Sequence, residues 1–550
     1  MFAVRAGESV SAIVGDGVQL VELVFTQTFG AQPAGAKTKT CDDENDEGGD
    51  YEGPDSFSLC GQNRILQTVG QNGEGYRKIR VTVKKAFSSR RFTRMNADLM
   101  LILLILSMAQ TQLARRLNLF DATMIVMGGI IGSGIFMNPS VVALQVHTPF
   151  LILGAWVLGG LFALAAAFIW AELAALRPDV GGQYAYLREA FHPGVAFVYG
   201  WVLLLVVQTG GMAAVAVTFA RYFVELTHLA LSPPLLAALV LATLTIINCV
   251  GVRAGSTVQS ILMVLKIVAI AALVICGFLF ADRTATTSRL LDRPASLDLL
   301  TAFGAALVPV IFAYGGWQTA TFVAGEIKEP RKNLPRGLVL GVTGVVLLYL
   351  AANVVYISVL GTEGLAASAA PASEVMRRAL GDFGARAIAA GIAISTAGFL
   401  SQSMLTAPRV YFAMAQDGLF FRQVGTVHPQ TRAPIVAIAL QGVLAIAIAL
   451  LGTYERILNY VVSVDVIFFG LTACCIFIFR KREPVNHTTG ITRVPGHPLT
   501  TAVFIAVCFL VVINTVHRYP DNTLIGIAIM LAGIPAYFFW RWRNANDTRA

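Results

Sequence analysis

Charge is what this 550-residue chain has least of. Asp, Glu, Lys and Arg make up 13% of it, against about 25% in an average soluble domain, so lipid rather than water is the expected solvent. Seven cysteines set no framework. Cys41 and Cys60 lie in a polar tail, and Cys249, Cys276, Cys474, Cys475 and Cys508 lie in apolar runs. None has the spacing of metal ligands and no histidine completes a set, which argues against a metal site; no cofactor is expected either. Enzyme signatures are lacking too: there is no H-E-x-x-H, G-x-S-x-G or P-loop and no paired carboxylates in the apolar core. The glycines around Gly134 follow no strand, so they are not a dinucleotide fingerprint. The net charge of +9 does not point to nucleic acid, because the basic residues sit between apolar runs, where membrane proteins place them.

What the chain has is apolar length: 56% of its residues are hydrophobic and its mean hydropathy is +0.68. Residues 1–110 stand apart, with an acidic run from Asp42 to Asp55, a basic stretch from Arg77 to Arg94 and no sustained period. They are expected to be a disordered or non-native N-terminal extension. Leu99 to Leu106 is apolar, but a span needs about 20 residues, and the run lies too deep in the chain for a signal peptide. A natural start at Met108 is one reading of this boundary.

The expected transporter domain occupies 111–550. Twelve apolar runs follow from Leu119, at 119–144, 149–173, 191–222, 232–250, 255–281, 300–325, 336–360, 384–415, 434–452, 456–479, 497–516 and 522–542. Each is long enough to cross a hydrocarbon core, and helices satisfy their own backbone there, so an all-α membrane bundle of twelve transmembrane helices is expected. One set of connections is richer in Lys and Arg, including Arg115, Arg116, Lys328, Arg331, Lys332, Arg480, Lys481 and Arg482. The positive-inside bias puts that side, and both termini, in the cytoplasm, with the cell (inner) membrane as the expected location.

Two spans carry clustered breakers. The first holds Gly128-Gly129-Ile130-Ile131-Gly132-Ser133-Gly134, and the sixth holds Tyr314-Gly315-Gly316-Trp317 with Pro309 upstream. Glycine costs about 1 kcal/mol in a helix interior, and paired interruptions in two five-helix halves are the sequence mark of an inverted-repeat transporter. Unwinding there exposes N–H groups that suit a carboxylate and carbonyls that suit an ammonium. The plainer account is that the glycines only allow close helix packing.

Further motifs flank these breaks. Asn138-Pro139 follows Gly128–Phe136, and Phe312 opens the second cluster. Glu326-Ile-Lys-Glu-Pro330 precedes Asn333-Leu-Pro-Arg336, and Pro408 to Leu419 and the Pro178–Phe191 loop complete the set. In these motifs the chain resembles the amino acid–polyamine–organocation (APC) superfamily, within it the L-type amino acid transporter branch, from about Leu119 to the C-terminus.

The resemblance implies a five-plus-five inverted repeat with discontinuous helices 1 and 6, repeats of about 119–281 and 300–479, and two extra helices over 497–542. It implies that the substrate carboxylate meets Ile131, Gly132, Ser133 and Gly134, that its amino group meets Phe312, Ala313 and Gly315, and that Phe312 closes over it. Gln318 stands where the family often has Asn. Tyr314 and Trp317 are candidate gates or packing residues. The expected function is sodium-independent exchange of amino acids, neutral ones favoured, by alternating access. A proton-coupled amino acid or polyamine symporter is the alternative, followed by a transporter-like amino acid sensor. No external cysteine marks an obligatory protein partner; the expected partners are the small-molecule amino acid and the lipid bilayer.

Charges inside spans narrow the candidates. Lys266 lies mid-span, where a lysine costs at least about 2.5 kcal/mol, and is expected to replace a coupling sodium and tie span five to span one. Asp465 lines an outer vestibule or bonds nearby backbone, the second being favoured. Glu172, Glu326, Arg409 and Asp417 form either a network of gating ion pairs or solvated helix ends, the second being favoured. Ser395, Thr396, Ser401, Gln402 and Ser403 form a polar set in span eight, from which one or two substrate contacts are expected.

Overall fold

The computed structural model describes residues 9–13, 20–30, 64–68 and 76–84 and, with short gaps at 179, 228, 281–290, 292–295, 432, 452–453, 483–491 and 519, residues 115–547. The chain divides into two units, Met1–Ser107 and Met108–Ala550. In the first, β1 (Ser9–Ile13), β2 (Leu20–Gly30), β3 (Arg64–Thr68) and β4 (Tyr76–Lys84) form an antiparallel sheet in the order β1-β2-β4-β3. These strands are regular structure that the reading of residues 1–110 did not anticipate. In β4, Ile79, Val81 and Val83 alternate with Lys78, Arg80, Thr82 and Lys84, the period of a strand. The charged and Gly-rich composition around that short run hid it.

The second unit is helical, one isolated bridge between Leu117 and Ile327 aside. It opens with α1 (Leu119–Ile130), fixed by a capping box in which Asn118 and Asp121 exchange side-chain bonds. The chain breaks over Ile131–Ser133 and resumes as α2 (Gly134–Gln145), bent by 41° from α1. Next come α3 (Pro149–Leu176), a short α4 (Gln183–Ala190) in the loop, and α5 (Pro193–Val202), which passes through one π turn into α6 (Gln208–Thr227). Two further helices, α7 (Pro233–Val250) and α8 (Val252–Phe280), precede α9 (Leu297–Tyr314), whose span breaks and resumes as α10 (Thr319–Phe322). The rest comprises α11 (Pro330–Ala367), α12 (Pro371–Thr406), α13 (Pro408–Gln416), α14 (Ile435–Leu451), α15 (Tyr454–Arg482), α16 (Leu499–Arg518) and α17 (Pro520–Asp547).

Among the described residues nine helical stretches are long and apolar enough to cross a membrane, and the bent pair α1–α2 makes a tenth. Helix α14 is shorter, and the start of α15 lies among residues whose side chains fall outside the described set. Apolar side chains such as Leu347, Leu279, Leu510 and Ile513 are exposed on the bundle's exterior, as lipid contact requires. The chain is an integral membrane protein.

The basic side of the bundle is locked by ion pairs. Arg409 on α13 bonds Glu326 at 2.6 Å, with both side chains 0% exposed. Glu172 near the end of α3 receives a two-pronged bond from Arg480 (2.6 and 2.7 Å) and the backbone N–H of Val494 (2.8 Å). Asp417 accepts from Tyr184 Oη at 2.8 Å and from Arg188. These acids are therefore partnered, and two of them fully buried, rather than solvated helix ends. The local sequence around each gives no hint of these partners, 83 to 308 positions away.

The Tyr184 hydroxyl, desolvated and beside the Asp417 carboxylate, holds its proton well above the usual phenol range. Removing one member of a buried pair leaves an uncompensated charge, at a cost of about 3–5 kcal/mol. Arg409→Ala is expected to lower the unfolding temperature of the detergent-solubilised protein markedly, whereas Lys332→Ala, at the exposed Glu329 pair, should leave it within about a degree.

Candidate functional site

The two breaks meet. Gly316 has φ of +116°, a conformation that favours glycine, and a Cβ there would lie 2.0 Å from the carbonyl oxygen of Gly129. Backbone thus packs on backbone, and the spans cross with no side chain between them. Farther along, Ala313 presses on Gly134, and Asn138 Nδ2 donates to the Pro309 carbonyl at 2.8 Å, tying α2 to α9.

Four carbonyls freed at the first break have side-chain donors, while that of Gly129 packs against Gly316. Lys266 is fully buried on α8, and its Nζ donates to the carbonyls of Ile131 and, at 3.3 Å, Gly128. Tyr349 Oη donates to the Ile130 carbonyl at 3.2 Å and Ser395 Oγ to that of Gly132 at 3.3 Å. A cation at a helix C-terminus is favourable, and within a membrane these carbonyls have no water to turn to. Gly398 makes the lysine possible, since a Cβ there would lie 2.6 Å from Lys266 Cε. The structure thus places Lys266 between span five and span one.

The N–H groups remain. Ile131 donates to the Met127 carbonyl, but those of Gly132, Ser133 and Gly134 donate to no backbone carbonyl among the described residues. They form the start of α2 and carry its positive dipole end. Opposite them, α9 ends with Gly315 N–H bonded to the Phe312 carbonyl and Gly316 N–H turned to Gln318 Oε1 at 3.1 Å. The terminal carbonyls of a helix lack intrahelical donors, so those of Ala313 and Tyr314 stand as acceptors.

A cavity of about 150 Å³ lies between these ends. Of the residues put forward from sequence, Gly132, Ser133, Gly134, Phe312, Ala313 and Gly315 line it. Ile131 does not; it is buried with its carbonyl on Lys266. Phe312 is 41% exposed and faces the cavity. The other two gate candidates do not reach it. Tyr314 is buried between Trp156 and Tyr349 with its hydroxyl on the Trp156 carbonyl, and Trp317 is buried among Phe162, Trp170 and Phe469. A helix advances about 100° per residue, so neighbours of Phe312 turn away from the space it faces.

Lining residues that the sequence reading did not name include Gln208 and Gly211 on α6; Asp465 on α15, weighed there for a vestibule but favoured as structural, lines the cavity too. In span eight only Phe399 and Ser403 line the cavity, while Gln402 bonds Thr319 and Thr406 and Ser395 holds Gly132. Toward the basic side the space is closed. Gly129 rests on Gly316, the Leu117 strand bonds Glu326 and Lys328, and the Gly181–Gly182 turn sits against Phe322 and Thr321. Among the described residues no group of His, Cys, Asp and Glu could hold a metal ion.

The sequence pattern described as "Amino acid permease" matches residues 117–538, which takes in both breaks, the cavity and the buried lysine. The chain belongs to the amino acid permease family. It is 29% identical over 441 residues to the serine/threonine exchanger SteT of Bacillus subtilis (strain 168), covering 79% of this chain and 98% of that protein. It is 28% identical to human large neutral amino acids transporter small subunit 2 (78% and 81% covered) and 26% identical to the human cystine/glutamate transporter (78% and 86% covered). The family match of this permease thus spans most of the helical unit.

Two glycines separate packing from binding. Gly316→Ala forces a Cβ onto the Gly129 carbonyl at positive φ and should leave little folded protein. At Gly132 a Cβ meets nothing nearer than Phe399 Cδ2 at 3.7 Å, so Gly132→Val should elute as a monodisperse peak yet lose substrate binding by tenfold or more. Size-exclusion chromatography with a ligand-induced thermal shift checks both.

Proposed function

We propose that this permease is a secondary active transporter that moves amino acids across the cell membrane by sodium-independent exchange, with alternating access to the cavity between the breaks. One observation carries the proposal: unbonded N–H groups at the start of α2 face the terminal carbonyls of α9 across a single cavity. A zwitterion presents a carboxylate to the first and an ammonium to the second. In this reading Gly132, Ser133 and Gly134 hold the carboxylate, Ala313 and Gly315 with Phe312 hold the amino group, and the Phe312 ring covers the bound substrate. Neutral amino acids are the proposed cargo, in keeping with the names of the exchanger from Bacillus subtilis and the human large neutral amino acids transporter.

Alternating access needs a seal that can break. The contacts on the basic side, with Gly129 against Gly316 and the ion pairs of Glu326, Glu172 and Asp417, form the seal we assign to the cytoplasmic gate. Both termini then lie in the cytoplasm. The ten described spans, with α14 and α15 added, make the proposed twelve, arranged as two inverted five-span repeats and a C-terminal pair. No enzymatic step and no obligatory protein partner enters this account.

Lys266 supports independence from sodium. Its ammonium already bridges α1 and α8 through two carbonyls, supplying the positive charge that a coupling cation would bring. The same residue favours the second reading, proton coupling, because among the described residues this buried ammonium has carbonyl partners and no carboxylate. An ionisable group inside a span is where a proton relay would pass.

Purified protein in liposomes distinguishes these readings. Lumenal amino acid is expected to stimulate uptake of labelled amino acid many-fold, with or without sodium. Uptake driven by a pH gradient alone, into empty vesicles, would establish the symporter instead. Lys266→Met should reduce transport by about a hundredfold while the protein remains extractable; equal loss of both would make the lysine purely structural.

A further inference from the structure

Asp465 contributes the only charged side chain that lines the cavity among the described residues. The other deep acids of the helical unit are neutralised: Glu326 by Arg409, Glu172 by Arg480, Asp417 by Arg188. Asp465 has no ion pair and no hydrogen bond among the described residues, although it sits part-buried on a membrane-spanning helix. An acid kept only for folding would have taken a partner, as its three counterparts do, because an unpaired carboxylate in such surroundings is costly. The cost makes sense if the partner arrives with the cargo.

The setting supports this. The breaks supply the groups for the amino acid's common end, and their polar lining residues Ser133, Gln318 and Thr319 carry no charge. Asp465 stands on α15, a helix that belongs to neither break, with Gln208 and Ser403 as the polar lining from α6 and α12. A carboxyl group always keeps at least one oxygen that only accepts hydrogen bonds. It rewards a side chain ending in O–H or N–H and penalises an apolar one of the same shape, which would leave it desolvated and unpaired.

We propose that Asp465 is the specificity-determining residue of this permease, selecting substrates whose side chains end in a hydrogen-bond donor. The assignment rests on the amino acid transport proposed above and narrows it: among neutral amino acids, those with a hydroxyl or amide are taken in preference to their aliphatic isosteres. A cationic side chain shares the donor chemistry, so the test must separate the two.

The pair threonine and valine differ by a hydroxyl in place of a methyl, and lysine and norleucine differ by a terminal ammonium. Competition of each against labelled substrate would be measured in trans-stimulated proteoliposomes for wild type, Asp465→Asn and Asp465→Leu. Wild type is expected to favour threonine over valine by about tenfold or more. Asp465→Leu should bring that ratio to within about twofold. Asp465→Asn should lower it several-fold, because a bond to a neutral acceptor is about half as strong as one to a carboxylate.

Wild type with no preference in either pair would overturn the assignment even if neither variant folded, as would an unchanged ratio in folded Asp465→Leu. A preference confined to lysine over norleucine, lost in both variants, would uphold Asp465 as the determinant and replace the neutral cargo by a cationic one. Folded wild type that exchanges no amino acid would overturn both this assignment and the function beneath it.

Discussion

A broken helix inside a membrane must account for every polar group it exposes, and the break in the first span is the constraint on which this structure depends. Unwinding over Ile131–Ser133 frees carbonyls and N–H groups where no water is available. Four of the carbonyls are claimed by Lys266, Tyr349 and Ser395, from three different helices. The N–H groups of Gly132, Ser133 and Gly134 donate to no backbone carbonyl among the described residues, which is the ground for the proposed substrate site. That asymmetry turns a defect into a site: the helix pieces are held open by side chains on the carbonyl side alone.

The rest of the site follows from close packing. Because Gly129 and Gly316 let backbone touch backbone, the second break lies directly against the first, and the end of α9 faces the start of α2. The aromatic cluster of Trp156, Tyr314, Tyr349, Trp170 and Trp317 fixes α3, α9, α10 and α11 around that contact. The buried ion pairs on the basic side join segments far apart in sequence. Buried pairs add little net stability but are strongly destabilising once broken singly, which suits a seal that separates as whole pairs rather than one charge at a time.

Much of this was legible in the sequence because membrane constraints are written in composition and spacing. Apolar runs of span length located the helices, and the two glycine clusters with Pro309 located the breaks. A mid-span lysine had to face protein, and it does. What stayed hidden depends on rotation and on distant partners. Tyr314 and Trp317 adjoin Phe312 in the chain but turn into packing, which no spacing of single residues reveals. Asp465 reads like any polar residue in a long apolar helix until the neighbouring helices show that it borders the cavity and has no arginine. Glu172 and Arg480 are separated by 308 positions, so their union could not be read from either. The strands of the first unit were missed for a different reason: a two-residue period over a short run is weak beside the charge around it.

The most direct test of the account is a structure of the protein with a transported amino acid bound. The account predicts the substrate carboxylate within hydrogen-bonding distance of the N–H groups of Gly132, Ser133 and Gly134, its ammonium on the terminal carbonyls of α9, and Lys266 still on the carbonyl of Ile131. A substrate bound elsewhere, or one whose carboxylate is held by Lys266 instead of the α2 backbone, would contradict it.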